Sequence, residues 1–281
     1  MTFLADLPFH RSELRTSLRR GNDLLTRVIA KSPPGRFKNG DEIIRTGKPC
    51  DTIYQLQSGW VGCTRVLEDG RRSIMSIILP GELFGIESLF VTEQPDTVVS
   101  FGNVTVLAIH RDRLRELFES DPSVALRIAF QLAEDQRRLH NHMIGLGRAS
   151  ATEHIAMMLL ELHGRLGRTG LYDSGTYRCP LTQQDIADFV GLTPVHVNRV
   201  LRSLNGQGLA TVRRGLVQLH DITALHKLAQ PALDLFECSQ TEPFASQCPC
   251  PEAGVAQGIE PGIDTTLGTA APLAKWPGFH D

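Results

Sequence analysis

The side chains best equipped for chemistry in this 281-residue chain are thiols, imidazoles and guanidiniums. Cys238, Cys248 and Cys250 form a C-x9-C-x-C group, and thiolates that converge can hold a metal or an iron–sulfur cluster. The stretch around them is rich in Pro, Gly, Ala, Ser and Thr with little periodicity. In such a composition this spacing is more often incidental, so no cluster or other metal is expected. His140 and His142 lie about 200° apart around a helix axis and offer no joint ligand face. Cys179 follows Arg178, a cation that could stabilise a thiolate for oxidant sensing, although a plain linker cysteine is the simpler reading. Arg213 and Arg214 precede Gly215 at the tip of an alternating run, where two cations suit phosphate contact or plain solvation. Nucleophile–base pairs, a P-loop, HExxH and a dinucleotide fingerprint are missing, so no enzyme is expected.

The element with the clearest punctuation is Leu181 to Leu204, LTQQDIADFVGLTPVHVNRVLRSL. Thr182 with Asp185 three residues on can cap a first helix, Gly191 permits a turn at positive φ, and Thr193-Pro194 marks a second start. Ile186, Val190, Leu192, Val197, Val200 and Leu201 fall where two short helices crossing steeply would face each other, and Ala187 allows close approach. The stretch therefore reads as a helix-turn-helix. Leu209 to Leu219 then alternates as a hairpin wing carrying Arg213 and Arg214.

The chain is long enough for two folded domains, and 41% hydrophobic residues is ordinary for real cores. No run of 18 apolar residues exists and MTFLADLPFHRSELR lacks a cleavable apolar segment, so neither a membrane span nor a signal peptide is expected and the cytoplasm is the expected location. Six scattered cysteines suit reduced thiols. A formal charge of −2 does not exclude nucleic acid, because phosphate contact needs one basic face rather than a basic chain.

In chain order, residues 1–35 read as a helical lead-in, with Leu14, Leu18, Leu24, Leu25, Val28 and Ile29 on one or two amphipathic helices before Pro33-Pro34. Residues 36–120 hold short strand-like runs, TIYQL, WVGCTRV, RSIMSIIL and VTVLAI, between turn signals SG, EDG and PGE, which suggests a small barrel or sandwich. Asp69-Gly70 is a strong hairpin signal. A short helix is expected from Asp112 to Glu119, and over 121–147 a long helix from Pro122, with Gly145 and Gly147 read as a hinge. Leu132, Leu139 and Leu146 recur at heptad spacing, as do Ala129, Gln136 and Met143, which suits a two-helix seam; a helix lying on its own barrel is the plainer alternative. Ser150 with Glu153 offers a capping box at the start of 148–236, and Thr223 to Phe236 a last helix. Residues 237–281 are expected to be disordered.

A β-barrel, a long helix, glycines and a winged helix-turn-helix in that order resemble the Crp/Fnr family of bacterial transcription regulators, over roughly residues 20 to 230. The most specific parts are DPSVALRIAFQLAEDQRRLHNH running into ATEHIAMMLLEL, the helix-turn-helix with Gly191, Thr193, Val197 and Arg199, and PGELFG at Pro80 to Gly85. The resemblance implies an α+β chain: an N-terminal cyclic-nucleotide-binding-like β-barrel as sensor, a long dimerisation helix, and a C-terminal winged helix-turn-helix. It implies a homodimer on double-stranded DNA, with RNA polymerase as a further partner.

The same resemblance places the effector pocket around Gly81, Glu82, Leu83, Gly85, Ile86, Asp96, Thr97, Leu139 and His140. Cyclic-nucleotide binders in the family use a Glu for the ribose, an Arg-Ser pair for the phosphate and Thr-Ser for the base. An ungapped alignment puts Ile86, Asp96-Thr97 and Leu139-His140 there. Asp96 without a paired cation repels a phosphate, so cyclic AMP is not expected to bind. The oxygen-sensing branch holds its iron–sulfur cluster on N-terminal cysteines, and no cysteine precedes Cys50. The base-facing positions carried over are Pro194, Val195, Asn198 and Arg199, with Arg199 suited to guanine and Val195, where many members have Glu, suited to a thymine methyl. Thr182, Gln183, Thr193, His196, Arg202, Arg213 and Arg214 are candidates for backbone contact or for orienting the readers. A competing reading is a redox or metal-responsive sensor acting chiefly through protein contacts.

Overall fold

The computed structural model describes residues 11–167 and 175–229. Cys238, Cys248, Cys250, the tail from 237, the second half of the expected last helix and residues 1–10 lie outside the described residues. The chain opens with one helix, α1 (Arg11–Ile29), not two. It then forms β1 (Gly35–Phe37), β2 (Glu42–Ile44), β3 (Thr52–Val66), β4 (Arg72–Ile78), β5 (Leu83–Phe84) and β6 (Thr97–His110). One of the expected turns is instead a bend inside a strand. Ser58-Gly59 lies within β3, where the register against β6 shifts on both sides of Ser58 and Gly59 adopts φ 80°. The bulge absorbs the glycine's conformation while the ladder continues. A Cβ on Gly59 would stand 2.3 Å from the Asn103 carbonyl oxygen, so only glycine lets the two bent strands approach there. The Asp-Gly hairpin forms as expected, with Leu67 N–H donating to the Arg71 carbonyl between β3 and β4.

The sheet runs β1-β6-β3-β4, with β2 on β6 and β5 on β3. No described strand joins β4 back to β1, so it is an open, strongly bent sheet and not a closed barrel. Ile44, Leu56, Val61, Phe84, Val98 and Val106 fill its concave side.

α2 (Arg111–Ser120) leads to α3 (Pro122–Gly147), which Asp121 caps by accepting from Ser123 N–H. α1 lies along α3, and the contact is closest at Gly21, where a Cβ would stand 2.0 Å from the Ser123 carbonyl oxygen. Gln131 anchors the middle of α3 on the PGELFG turn, donating to Leu83 O at 2.8 Å and accepting from Leu83 N–H at 3.2 Å.

α3 runs through both expected hinge glycines. The break comes at 148–150, where Ser150 and Glu153 form the expected reciprocal cap for α4 (Ala151–Gly167). Gly145 serves close packing, since a Cβ there would meet the His154 ring at 2.4 Å. β7 (Thr176–Arg178), α5 (Gln183–Val190), α6 (Pro194–Gly206), β8 (Ala210–Arg213), β9 (Leu216–Leu219) and α7 (Ile222–Ala229) complete the described chain. β7, which the sequence pattern did not suggest, adds a third strand to the wing in the order β7-β9-β8. Replacing Gly21 with Ala should force α1 away from α3 and cost about 1–3 kcal/mol. Urea denaturation is expected to show a lower midpoint at unchanged slope; an unchanged midpoint would count against this packing.

Candidate nucleic-acid interface and sensor cavity

The two helices of the helix-turn-helix are held by the caps read from the sequence. Thr182 Oγ1 accepts from Asp185 N–H at 3.1 Å, while the Asp185 carboxylate accepts from Thr182 N–H at 2.8 Å. Gly191 ends α5 at φ 68°, and Thr193 starts α6 by accepting from His196 N–H at 3.3 Å. Ile186, Ala187, Val190, Val197, Val200 and Leu201 are buried between them.

The outer face of α6 is open. Val195 is 80% exposed, so its side chain is free to meet a partner of α6. Arg199 is exposed, Pro194 and His196 half-buried. Asn198 is half-buried and donates to Gln183 Oε1 at 3.1 Å, so Gln183 orients it from α5. The hydroxyls of Thr182 and Thr193 are occupied by the caps, which makes them positioning groups first. At the wing tip Arg214 and Gly215 both take positive φ, 52° and 75°, a tight turn that throws Arg213 and Arg214 outward. Among the described residues no carboxylate pairs with Arg199, Arg202, Arg213 or Arg214, whereas other arginines such as Arg20, Arg65, Arg72 and Arg165 do have partners.

Cys179 sits under this domain with 3% exposure, and burial pushes its thiol up to about 11. That suits a packed structural cysteine and not the oxidant sensor considered from Arg178.

A model of the cyclic nucleotide-binding domain matches residues 34–121, and one of the Crp-like helix-turn-helix domain matches 153–228. The chain belongs to the Crp/Fnr family. The nitrogen fixation regulation protein FixK of Azorhizobium caulinodans is 34% identical over 205 residues, covering 72% of this chain and 81% of that protein. FixK of Rhizobium meliloti is 34% identical over 193 residues, 66% and 80% of the two chains. The structure of FixK2 from Bradyrhizobium japonicum superposes with a TM-score of 0.64 at 29% identity, over 70% of this chain and 96% of that one. These relatives are regulators and not enzymes, and the chain is a Crp/Fnr-type DNA-binding transcription regulator. Among the described residues no helix is long and apolar enough to cross a membrane.

A cavity of about 370 Å³ opens between the sheet and α3. Glu82, Leu83, Gly85, Ile86, Asp96 and Leu139 line it, while Gly81, Thr97 and His140 lie outside. Thr97 turns instead to Thr46, with 2.9 Å between their hydroxyls. Asp96 is not the unpaired anion the sequence suggested, because Arg65 holds it at 2.6 Å.

Three connections join the N-terminal sheet domain and the helix-turn-helix domain, and none has a local sequence signature. Glu82, on the PGELFG turn, accepts from Arg165 of α4 at 2.6 and 3.1 Å and from Leu79 N–H at 3.0 Å. Arg138 of α3 stands 3.6 Å from the same carboxylate. Burial acts to raise the Glu82 carboxyl, but Arg165 and then Arg138 outweigh it and hold it below the usual range. Second, Arg72 of β4 grips α5 through Asp185 and Asp188, the latter at 2.7 Å. Third, His142 of α3 stacks on Phe189 of α5 at 4.3 Å and stands 5.4 Å from the His154 ring of α4.

Burial, with a smaller contribution from His142, lowers His154 to about 4, so it stays neutral in the fold. The unfolded chain binds that proton near pH 6.5 and the native chain does not. Stability should therefore fall as pH drops from about 6.5 to about 4, by up to ~1.4 kcal/mol per unit from this one group, and show no such loss above that window. Chemical denaturation of His154→Gln across this range is expected to show a flatter acid limb; an identical limb would remove His154 from the account.

Proposed function

We propose that this chain binds a palindromic operator as a homodimer, with α6 in the major groove and the wing beside the phosphates. What carries the reading is the set of four unpaired guanidiniums on α6 and the wing, around an exposed valine. Arg199 is the base reader, donating to guanine O6 and N7; Asn198 and Pro194 flank it, and Val195 meets a thymine methyl. Arg202, Arg213 and Arg214 contact phosphate, and Thr182, Gln183, Thr193 and His196 position the readers or add backbone contacts.

Dimerisation is supported by the seam of α3. Leu132, Leu139, Met143 and Leu146 are 44%, 47%, 60% and 52% exposed, and Ala129 and Gln136 complete an exposed heptad stripe. Val124, Ile128 and Gln131 pack the opposite side onto the chain's own sensor domain. One helix thus serves both surfaces: Leu132, Gln136 and Leu139 also edge the chain's own cavity, while the plainer alternative of a helix used only against its own sheet leaves Ala129 and Met143 uncovered. The sensor does not take cyclic AMP in this reading. Both guanidiniums of the cavity are engaged by carboxylates, and Ile86 replaces the ribose-binding glutamate. The dimer acts in the cytoplasm, with RNA polymerase as its protein partner.

Selection of bound sequences in vitro should enrich a palindrome with half-sites about 34–36 Å apart; failure to enrich any palindrome would sink the reading. Leu139→Glu should sediment as a folded monomer and lose operator affinity, and a dimer of unchanged stability would place the seam elsewhere. Arg213→Ala should weaken binding alike on all sequences and flatten the salt dependence by about one unit. A loss confined to one operator would mean that Arg213 reads bases.

A further inference from the structure

The sensor cavity has two properties that a cyclic-nucleotide site would not combine. Its walls are mostly apolar, with Ile44, Met75, Ile78, Phe84, Val98 and Leu139 among them. Its charged lining is acidic: five carboxylates, Glu82, Glu87, Asp96, Asp135 and Glu161, against two guanidiniums, Arg138 and Arg165. Neither guanidinium is available to a ligand. Arg165 is spent on Glu82, Glu161 and the Ile77 carbonyl, and Arg138 on Asp135 and Glu82. An anion entering here would have to break a buried ion pair or remain unpaired, and both are costly.

The carboxylates are not equally occupied. Asp96 has Arg65 on one side, and Glu87 has no ion pair among the described residues. Cys63 shares this lining, and its thiol is pushed up to about 12 by burial first and then by Asp96 and Glu87, with Arg65 acting the other way. His142 also lines the cavity, and its Nδ1 is buried without a hydrogen-bond partner.

We infer that this cavity is a binding site for a small, mainly apolar amine, whose hydrocarbon lies against the aliphatic walls and whose ammonium group faces Glu87 and Asp96. The volume, about 370 Å³, lies toward the small end of the roughly 300–1,000 Å³ of small-molecule sites. Phe189 of α5 and Glu161 and Arg165 of α4 belong to the same lining, so an occupant touches sensor and reader together. The effect on DNA binding rests on the operator reading above; the binding itself does not.

The test titrates the full chain with hexylamine, hexanoate, 1-hexanol and cyclic AMP by calorimetry and thermal shift at pH 7. Hexylamine is expected to bind at least tenfold more tightly than the other three and to raise Tm. Glu87→Gln, at an exposed position, should keep the fold and weaken hexylamine several-fold, and Glu87→Gln combined with Asp96→Asn should bring it to the level of hexanol. Equal binding of hexanoate, hexanol or cyclic AMP, undiminished amine binding in the folded variants, or no binding of any probe would overturn the inference. Operator binding is scored on the same preparations. An operator bound by a chain that ignores hexylamine sinks this inference alone, and hexylamine bound by a chain that selects no operator sinks only the operator reading.

Discussion

The buried contact between Glu82 and Arg165 is the constraint around which the rest is arranged. A carboxylate on a sensor turn and a guanidinium on the first helix of the reader have been taken out of water together. Each is tolerable only while the other is in place, since a lone buried charge costs several kcal/mol. The remaining donors of Arg165 are satisfied by Glu161 and the Ile77 carbonyl, while both oxygens of Glu82 accept from Arg165 and Oε2 accepts from the Leu79 amide as well. The pair thus fixes where α4 leaves the sheet, and with it where α5 and α6 can lie. Arg72 on Asp185 and Asp188, and His142 on Phe189, hold the same arrangement from two other directions.

Local features of this architecture were legible from the residues because local physics decides them. The caps at Thr182, Thr193 and Ser150, the Asp69-Gly70 hairpin, the proline start of α3 and the left-handed Gly191 all formed as read. Errors arose where a glycine admits two uses. Gly59 bends a strand instead of ending it, because the partner strand continues past it. Gly145 permits a close approach and not a hinge, because His154 packs onto it. Neither outcome can be told from the glycine alone; the neighbour that decides it is distant in sequence.

The candidate site divides along the same line. The reading helix could be placed because spacing on one helix determines which residues face out. The cavity could be placed only partly: PGELFG locates Glu82, Leu83, Gly85 and Ile86, but an ungapped count carried Thr97 and His140 into a lining they do not share. Arg65 on Asp96 escaped for a further reason. A salt bridge between residues distant in sequence has no signature in either segment, and it supplies the cation that the sequence reading took to be missing there.

The hydrophobic core limits how the two domains can move against each other. Trp60, Ile74, Ile77, Leu79 and Phe101 of the sensor sheet belong to one continuous apolar cluster with Ile155, Leu159, Leu162 and Ile186 of the reader. A reader swinging freely about 148–150 would open that cluster to water over its whole length. Helices sliding past one another by an ångström or two keep it closed, since packed interfaces tolerate small shear where they resist separation. Any displacement between the two domains that leaves this cluster closed is therefore a small gliding of side chains, enlarged only by the length of the helices that bear them.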